Sequence, residues 1–284
     1  MKRADSRVAL ITGCGKAQGI GSATARALSA SGFTVVVSDV APQGVANDHD
    51  ALTDAPAGWR GLPSLVEELQ GSAQEHASAV YGDVSSERDA DAMVAEVLNR
   101  YGRLDVLVNN AAAPHGDDRV PINRLSLEAW ERVMSVNVRG VFLMTRRVVA
   151  PMREQGWGRI VNVSSAITRH PLPDRVAYTA SKAAVLGLTQ ALAVEVAASG
   201  ITVNAVCPGS IVTARAISST RLAGWTDLEA GLAARTRGIP AARHGSVGEV
   251  AATISFLCSD AAGYITGQSL YIDGGGLPRL AEPH

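Results

Sequence analysis

The sequence contains little cysteine, few aromatic residues and no excess of charge of either sign. Its three cysteines, Cys14, Cys207 and Cys258, are far apart and form no Cys-x-x-Cys pair, which excludes a disulfide framework and a structural zinc site. The 26 lysines and arginines are balanced by 27 acidic residues, so the chain lacks the basic face that nucleic acids and anionic membranes attract. It also lacks an uninterrupted apolar run of about 18 residues. We therefore expect a cytoplasmic protein with no metal and no nucleic-acid or membrane partner.

Apolar residues, in contrast, are plentiful. Hydrophobic residues make up 46% of the chain and charged residues 19%, which is enough for a large buried core. Many of them occur in short continuous runs, such as Val-Val-Val at 35–37, and such runs are typical of strands buried on both faces of a parallel sheet. The sequence predicts strands at 8–12, 34–38, 79–81, 106–109, 160–164, 202–206 and 270–273.

Helical patterns alternate with these strands. They predict helices at 20–31, 64–70, 86–101, 126–154, 178–199 and 246–259, with Ser86 as an N-cap and Gly200 as a C-terminal stop. Alternation of this kind implies right-handed crossovers and a doubly wound sheet. We therefore expect one α/β domain of Rossmann type over residues 1–284.

Two stretches interrupt the alternation. Residues 41–63 are rich in turn-forming residues and form a predicted inserted loop, of a length that is usually functional or disordered. Residues 210–240 follow the predicted sixth strand and have only a weak helical signal. Ligands bind beyond the carboxyl ends of strands in doubly wound sheets, so 210–240 is the predicted substrate-binding segment.

A glycine-rich turn follows the first predicted strand and opens a helix. Its glycines, Gly13, Gly15, Gly19 and Gly21, would allow the backbone to approach a pyrophosphate at the helix N-terminus. A glycine cluster alone is a weak signal, and an ordinary tight turn is the plainer explanation. Asp39, at the end of the second strand, strengthens the dinucleotide interpretation because a carboxylate there can bind ribose hydroxyls.

A second group lies near the start of the fifth predicted helix. Tyr178 and Lys182, four residues apart, share one helix face. The pKa of tyrosine is ordinarily near 10, which is too high for a general base at neutral pH. A neighbouring ammonium group stabilises the phenolate and lowers that pKa. Ser165 ends a strand thirteen residues before the tyrosine and can face the same crevice. A lone Tyr-x-x-x-Lys is more often a solvated helix face, so the pair needs further support.

Further motifs occur in a fixed order along the chain. They are Thr12-Gly13 with Gly19-Ile20-Gly21, Asp83-Val84, Asn109-Asn110-Ala111, Asn137, Ser164-Ser165, the Tyr178/Lys182 pair, Pro208-Gly209 with Thr213, and the ending from Gly267 to Gly275. Together they resemble the short-chain dehydrogenase/reductase family from about residue 6 to residue 276. The resemblance implies a Rossmann-type sheet of about seven parallel strands.

The resemblance also implies residue roles. Tyr178 would be the general acid and base, Ser165 would hold the substrate oxygen, and Lys182 would grip the nicotinamide ribose and lower the pKa of the tyrosine. Asn137 would hold the water of a proton relay. The implied cofactor-binding residues are Gly13, Gly15, Gly19, Ile20, Gly21, Asp39, Asp83, Val84, Asn110, Ala111, Tyr178, Lys182, Pro208, Gly209, Ile211 and Thr213.

The chain departs from the family pattern in its glycine loop. Five residues, 14–18, separate Gly13 from Gly19 where the family usually has three, which leaves the role of Gly15 open. Thr168 also stands where a glycine often follows the catalytic serine. Three further residues fall near predicted strand ends: His115, Arg169 and His170. For each of them, a place in the substrate crevice and an ordinary surface position are equally good interpretations.

These residues predict an NAD-dependent oxidoreductase that interconverts a secondary alcohol and a ketone. The sequence does not identify the small-molecule substrate. One alternative is a 3-oxoacyl-thioester reductase, which usually uses NADP, and Asp39 argues against it. Lys16 in the glycine loop could reach a 2′-phosphate and is the one feature that opposes the preference for NAD. A regulator that senses NAD without turnover is another alternative, and the complete Ser/Tyr/Lys/Asn set argues against it. Small residues on the fifth predicted helix, together with the resemblance, predict a homotetramer.

Overall fold

The computed structural model describes residues 6–46, 55–71 and 77–276. Within them, seven parallel strands form one sheet in the order β3-β2-β1-β4-β5-β6-β7. The strands are β1 (Val8–Thr12), β2 (Thr34–Asp39), β3 (Ala77–Tyr81), β4 (Val106–Asn109), β5 (Gly158–Val163), β6 (Ile201–Pro208) and β7 (Ser269–Ile272). The predicted fold class is confirmed, and every predicted strand end lies within two residues of the observed one.

Helices connect the strands. In the described part of the chain they are α1 (Ile20–Ala30), α2 (Leu62–Gly71), α3 (Glu87–Tyr101), α4 (Leu127–Met134), α5 (Gly140–Gln155), α6 (Val176–Val196), α7 (Ala214–Leu222), α8 (Leu228–Thr236) and α9 (Val247–Leu257). Ser86 is the N-cap of α3, as predicted, because its hydroxyl accepts from the Asp89 amide. Gly200 adopts φ 74° and ends the short turn that follows α6.

The core has two layers, one on each face of the sheet. Ile11 and Val37 pack with residues of α1, α2 and α9, and Leu10 and Val36 pack with residues of α3, α5 and α6. Successive strand residues point to opposite faces, so a strand covered on both sides must be apolar at every position. This explains the continuous apolar runs of the sequence.

Two predicted segments differ from the structure. The single helix expected at 126–154 is interrupted by a π-helical turn, Ser135–Arg139, between α4 and α5. Residues 210–240 contain α7 and α8, which the weak periodicity did not predict, and side-chain caps from Thr213 and Asp227 begin them. The predicted inserted loop at 41–63 lies partly outside the described residues, and α2 begins at its end.

Strand order reverses at the centre of the sheet. The chain runs outward from β1 through β2 to β3, then crosses back to place β4 on the other side of β1. The connections leaving the carboxyl ends of β1 and β4 therefore turn away from each other and open a crevice. This crevice positions the candidate active site.

Candidate active site

The backbone from the end of β1 to the first turn of α1 approaches the end of β4 so closely that Gly13 and Gly21 have no room for a side chain. Gly13 has φ +73°, and a Cβ there would lie 2.8 Å from Ala111 Cα. A Cβ on Gly21 would lie 2.5 Å from the Gly13 oxygen. Asn110 Nδ2 donates to that same oxygen at 2.9 Å. The bare backbone ahead of α1 is a cradle that could hold a pyrophosphate, so these residues fit a dinucleotide.

The lengthened part of the glycine loop supports Asp39. The Gly15 amide donates to Asp39 Oδ2 at 2.9 Å, and the Val40 amide donates to Oδ1 at 2.9 Å. Trp59 Nε1 donates to the Gly15 oxygen at 3.1 Å, and the Gly44 backbone fills the space that a side chain on Gly15 would need. Burial raises the pKa of Asp39, and these two amide bonds oppose the rise. Gly15 therefore does not line the cleft itself. Its backbone amide holds the Asp39 carboxylate, which does.

The cleft above β1, β2 and β4 brings together most of the predicted cofactor residues. Those that line it are Gly13, Gly19, Ile20, Asp39, Asp83, Val84, Asn110, Ala111 and Thr213. Lys16 also lines it, near enough to Asp39 to lower the pKa of that carboxyl. The other lining residues, which were not among the predicted cofactor residues, are Val40, Gly44, Val45, Gly82, Ala112, Ala113, Pro114, Val136, Ala214 and Arg215.

The end of β6 shapes the opposite wall. Pro208 is the last strand residue, and the Gly209 amide donates to the Ile272 oxygen at 2.9 Å. Ile211 is buried, and Thr213 caps α7 by accepting from an amide of its first turn. Only Thr213 of this segment lines the cleft. Its position is supported by three residues that precede it, Pro208, Gly209 and Ile211.

Helix α6 carries the predicted acid–base pair. Lys182 is buried, its Nζ donates to the Val163 oxygen at 2.8 Å, and the same nitrogen lies 5.8 Å from the centre of the Tyr178 ring. The Arg215 guanidinium also lies 5.8 Å from that centre. Burial, helped by Arg215 and opposed by Cys207, lowers the pKa of Lys182 to about 7. The tyrosine thus has two basic side chains beside it.

Asn137 sits in the π-helical turn Ser135–Arg139 and is buried. Its Oδ1 accepts from the Ala113 amide at 2.8 Å, and its Nδ2 donates to Ser181 Oγ at 2.9 Å. Ser181 in turn donates to the backbone oxygen of Tyr178 at 2.8 Å. Single π turns are frequent at functional sites, and this one aims an amide at the helix that carries the tyrosine.

Ser165 lies two residues after the end of β5 and begins the short turn Ala166–Thr168, which packs against α6. Its hydroxyl accepts from the Ile167 amide at 3.2 Å. The preceding Ser164 donates to the Lys182 backbone oxygen at 2.9 Å, which ties the strand end to the same helix. The structure therefore brings all four predicted catalytic residues to the carboxyl edge of the sheet.

Three arginines near the tyrosine were missed by the sequence reasoning. Arg215 lines the cleft, Arg175 is the N-cap residue of α6, and Arg119 lies in the loop after β4. Both Arg175 and Arg215 lower the pKa of Arg119, whereas Tyr178 raises it, so these groups are electrostatic neighbours. Their positions in the sequence could have identified two of them, because Arg175 lies three residues before Tyr178 and Arg215 lies two residues after Thr213.

The histidines take different places. His115 is buried, its Nε2 lies 2.9 Å from Ser218 Oγ, and burial with the neighbouring arginines lowers its pKa to about 3. It is therefore neutral at physiological pH. His170 Nε2 lies 2.8 Å from the Gly276 oxygen, and Arg169 stacks 3.6 Å above the Tyr271 ring.

The cysteines are free and buried. Burial raises the pKa of Cys207 to about 11 and that of Cys258 to about 12, and it also raises the pKa of Cys14. Burial therefore disfavours the thiolate form of all three at neutral pH. Within the described ranges, no group of three or more His, Cys, Asp or Glu residues could hold a metal ion.

Known proteins described as reductases match this chain in sequence and in structure. A family model described as enoyl-(acyl carrier protein) reductase matches residues 13–276. A 3-oxoacyl-[acyl-carrier-protein] reductase of Synechocystis is 38% identical over 95% of this chain and 96% of the relative. Levodione reductase superposes with a TM-score of 0.84 at 32% identity, over 95% of this chain and 96% of that one. A variant of actinorhodin polyketide ketoreductase with NADPH also gives 0.84, at 35% identity over 97% and 98%.

Proposed function

Because this chain belongs to the short-chain dehydrogenase/reductase family, we propose that it interconverts a secondary alcohol and a ketone with NAD as cofactor and Tyr178 as general acid and base. Family membership makes it an oxidoreductase that acts on alcohol or ketone groups. The observation that supports the proposal is the chain of hydrogen bonds from Ala113 through Asn137 and Ser181 to the backbone of Tyr178. It joins Ala113, which lines the cleft, to the first turns of the helix that carries Tyr178.

Tyr178 would exchange a proton with the substrate oxygen. When bound, the nicotinamide supplies or accepts the hydride. In reduction the Tyr178 hydroxyl gives its proton to the substrate oxygen, and in oxidation the phenolate takes it. The Lys182 nitrogen and the Arg215 guanidinium each lie 5.8 Å from the centre of the Tyr178 ring. With a pKa of about 7, Lys182 can both hold and release a proton at neutral pH, which suits a relay to solvent.

Ser165 and Asn137 have supporting roles in this proposal. The Ser165 hydroxyl, at the end of β5, would donate to the substrate oxygen and hold it beside Tyr178. Asn137 already has two protein partners, but its oxygen has a second lone pair and its nitrogen a second hydrogen. The predicted relay water would bind there.

The direct test is Tyr178→Phe, which removes only the hydroxyl. We expect turnover to fall at least a thousandfold, in line with the usual general acid–base contribution of about 10²–10⁴, while the dissociation constant of NAD changes less than threefold. Turnover is followed by NADH absorbance and cofactor binding by calorimetry. The matched control is Tyr264→Phe, at a fully exposed tyrosine. A Tyr178→Phe enzyme that kept a tenth of the wild-type rate would exclude this role.

The preference for NAD rests on Asp39. Two backbone amides hold its carboxylate at the cleft wall, where it can accept from the adenine ribose hydroxyls. Such bonds contribute about 1.5–3 kcal/mol, and a 2′-phosphate would lose them and meet negative charge. Lys16 is the opposing feature, since it lines the same cleft and can attract a 2′-phosphate. The Asp39 carboxylate is already held by two backbone amides and needs no further ordering when the cofactor binds, so we give it more weight than Lys16.

Steady-state kinetics with both cofactors test this preference. We expect kcat/KM to favour NAD about a hundredfold, because about 1.4 kcal/mol is tenfold in affinity. Asp39→Ala should narrow the gap, and Lys16→Ala should widen it. A higher kcat/KM with NADP would contradict the assignment.

A second candidate is reduction of a 3-oxoacyl thioester. It is favoured by the name of the Synechocystis relative and by the NADPH of the ketoreductase structure. Acetoacetyl-CoA with NADPH distinguishes the two: turnover that exceeds that of simple ketones with NADH would favour the thioester.

A further inference from the structure

Three guanidinium groups from separate parts of the chain converge beside Tyr178. Arg119 comes from the loop after β4, Arg175 from the start of α6 and Arg215 from the first turn of α7. Arg215 lies 5.8 Å from the centre of the Tyr178 ring, and Arg119 lies within electrostatic reach of Arg175, Arg215 and the tyrosine. All three segments leave the carboxyl edge of the sheet, where the substrate must bind. We call Arg119, Arg175 and Arg215 the arginine cluster.

The fold holds these arginines in place without using all their donors. Arg119 donates from Nη1 to Ser219 Oγ at 2.6 Å, and Arg175 donates from Nη1 to the Asp174 oxygen at 2.8 Å. Arg215 donates from Nη2 to the Ala113 oxygen. A guanidinium has five N–H donors, so each retains several. Arg119 Nε is buried and has no hydrogen-bond partner among the described residues, although buried polar atoms are normally paired.

The charges of the cluster are also incompletely balanced. Exposed arginines elsewhere pair with carboxylates, as Arg243 does with Glu249 at 2.6 Å. Within the described part of the chain, no member of the arginine cluster has a carboxylate oxygen within 4.0 Å. The acidic groups facing it are the buried Asp118 and the exposed Asp174, which act at longer range. Arg235 of α8 adds a fourth guanidinium within electrostatic reach of Arg175, so four arginines face these two carboxylates.

We propose that the arginine cluster binds an oxyanion group of the substrate, so that the enzyme acts on hydroxy or oxo compounds carrying a carboxylate, sulfonate or phosphate close to the reacting carbon. This inference rests on the proposed function, because it takes Tyr178 as the place of the reacting oxygen. Arginine forks match the two oxygens of such a group and form short charge-assisted bonds with it. The same anion would give Arg119 Nε its missing partner. Burial and the neighbouring arginines lower the pKa of Arg119 to about 10, and a bound anion would relieve that crowding.

The kinetic test compares oxo acids with their neutral methyl esters. The probes are straight-chain oxo acids with the carbonyl two to five carbons from the carboxylate, assayed with NADH. We expect the wild-type kcat/KM to favour the best acid over its ester at least tenfold. Arg119→Gln and Arg175→Gln should each remove most of that preference, a change of about 1.4 kcal/mol per factor of ten, because kcat/KM falls much further for the acid than for the ester.

Two further variants guard against misfolding and nonspecific effects. Arg119→Lys keeps the charge but not the fork, so it should restore part of the preference lost in Arg119→Gln. Arg237→Gln, at an exposed arginine just after α8, is the matched control and should leave the preference unchanged. An equal loss in Arg237→Gln would show that overall charge, not the cluster, attracts the acid.

Binding without turnover separates this inference from the proposed function. The same oxo acids are titrated by calorimetry into enzyme saturated with NAD, a pairing that cannot react. Binding of an acid but not its ester, weakened tenfold or more in Arg119→Gln, supports the cluster even if turnover fails. If no acid of the series binds, if esters bind equally well, or if Arg119→Gln instead raises the dissociation constant of NAD, the proposal is wrong. Turnover of neutral ketones with no preference for acids would leave the proposed function intact and overturn only this inference.

Discussion

Lys182 places an amine in the interior, 5.8 Å from the centre of the Tyr178 ring. Its nitrogen donates to the Val163 oxygen, and burial together with Arg215 lowers its pKa to about 7. A lysine titrates near pH 10.4 when exposed, so burial penalises the charged form. The side chain proposed to take part in the reaction therefore destabilises the folded state at pH values where it is protonated.

The pH dependence of stability follows from this shift. Between about pH 7 and 10.5 the unfolded chain binds a proton that the folded chain does not, so the contribution of Lys182 to the free energy of unfolding rises with pH. Lys182→Met removes this titration. The quantity to compare is the free energy of unfolding of the variant minus that of wild type. We expect this difference to be greatest below pH 7 and to fall between pH 7 and 10.5, by at most about 1.4 kcal/mol per pH unit.

Urea unfolding at pH 6.5 and pH 9 measures this difference. The absolute gap also contains the lost bond to Val163, so the change between the two pH values is the quantity that decides. A gap that is equal at both would show that Lys182 titrates normally in the fold.

At the level of elements, the glycine loop depends on support from a neighbouring segment. Trp59, just before α2, donates to the Gly15 oxygen, and Gly15 donates to Asp39. Gly15, in the lengthened part of this loop, thus connects Asp39 in the cleft wall to the turn before α2. A loop braced in this way loses less freedom when the cofactor binds.

Trp59→Phe tests the brace, because it keeps an aromatic ring but removes the indole donor. One net hydrogen bond is worth about 0.5–1.5 kcal/mol, so we expect the dissociation constant of NAD to rise about two- to tenfold while the substrate KM stays constant. Trp157→Phe is the control, since its indole donates at the same 3.1 Å to Asp260. Equal effects of both variants would show a general loss of stability instead.

At the level of the whole molecule, α6 has an apolar face that the protomer does not cover. Val176–Ser199 is the one stretch of the described residues that is long and apolar enough to cross a membrane by length and composition, yet it packs against β6 inside the domain. Only 33% of its most apolar window is buried. Its exposed side carries Ala183, Gly187, Ala191 and Val194, at helical spacing, and Phe142 of α5 is also exposed. Small residues permit close helix approach, which supports the predicted homotetramer.

Val194→Arg tests this assembly. Val194 is 85% exposed in the protomer, so arginine there should not disturb the fold, but it would place a charge in the proposed interface. We expect the wild type to sediment as a tetramer and the variant as smaller species at micromolar concentration. Asn99→Arg, on the exposed side of α3, should leave the tetramer intact. A monomeric wild-type protein would refute the prediction.

The sequence by itself determined where the strands of the sheet lie and that Tyr178 and Lys182 share one helix face. Strands covered on both faces must be apolar throughout, so runs such as Val-Val-Val at 35–37 show where they lie. The spacing of Tyr178 and Lys182 shows which face of α6 they share, because helical periodicity is a local property. The same holds for the Ser86 cap, whose hydroxyl meets an amide three residues on.

Only the tertiary structure decided how distant segments meet. The π-helical turn that aims Asn137 at α6 has no marker in its sequence, because packing of α4 and α5 around it determines whether the extra residue is accommodated. Gly15 became a support for Asp39 because the turn containing Gly44 lies against it. The arginine cluster joins three segments far apart in the chain, and its unbalanced charge exists only where the fold brings them together, since Coulomb interactions depend on distance in space and not on separation along the sequence.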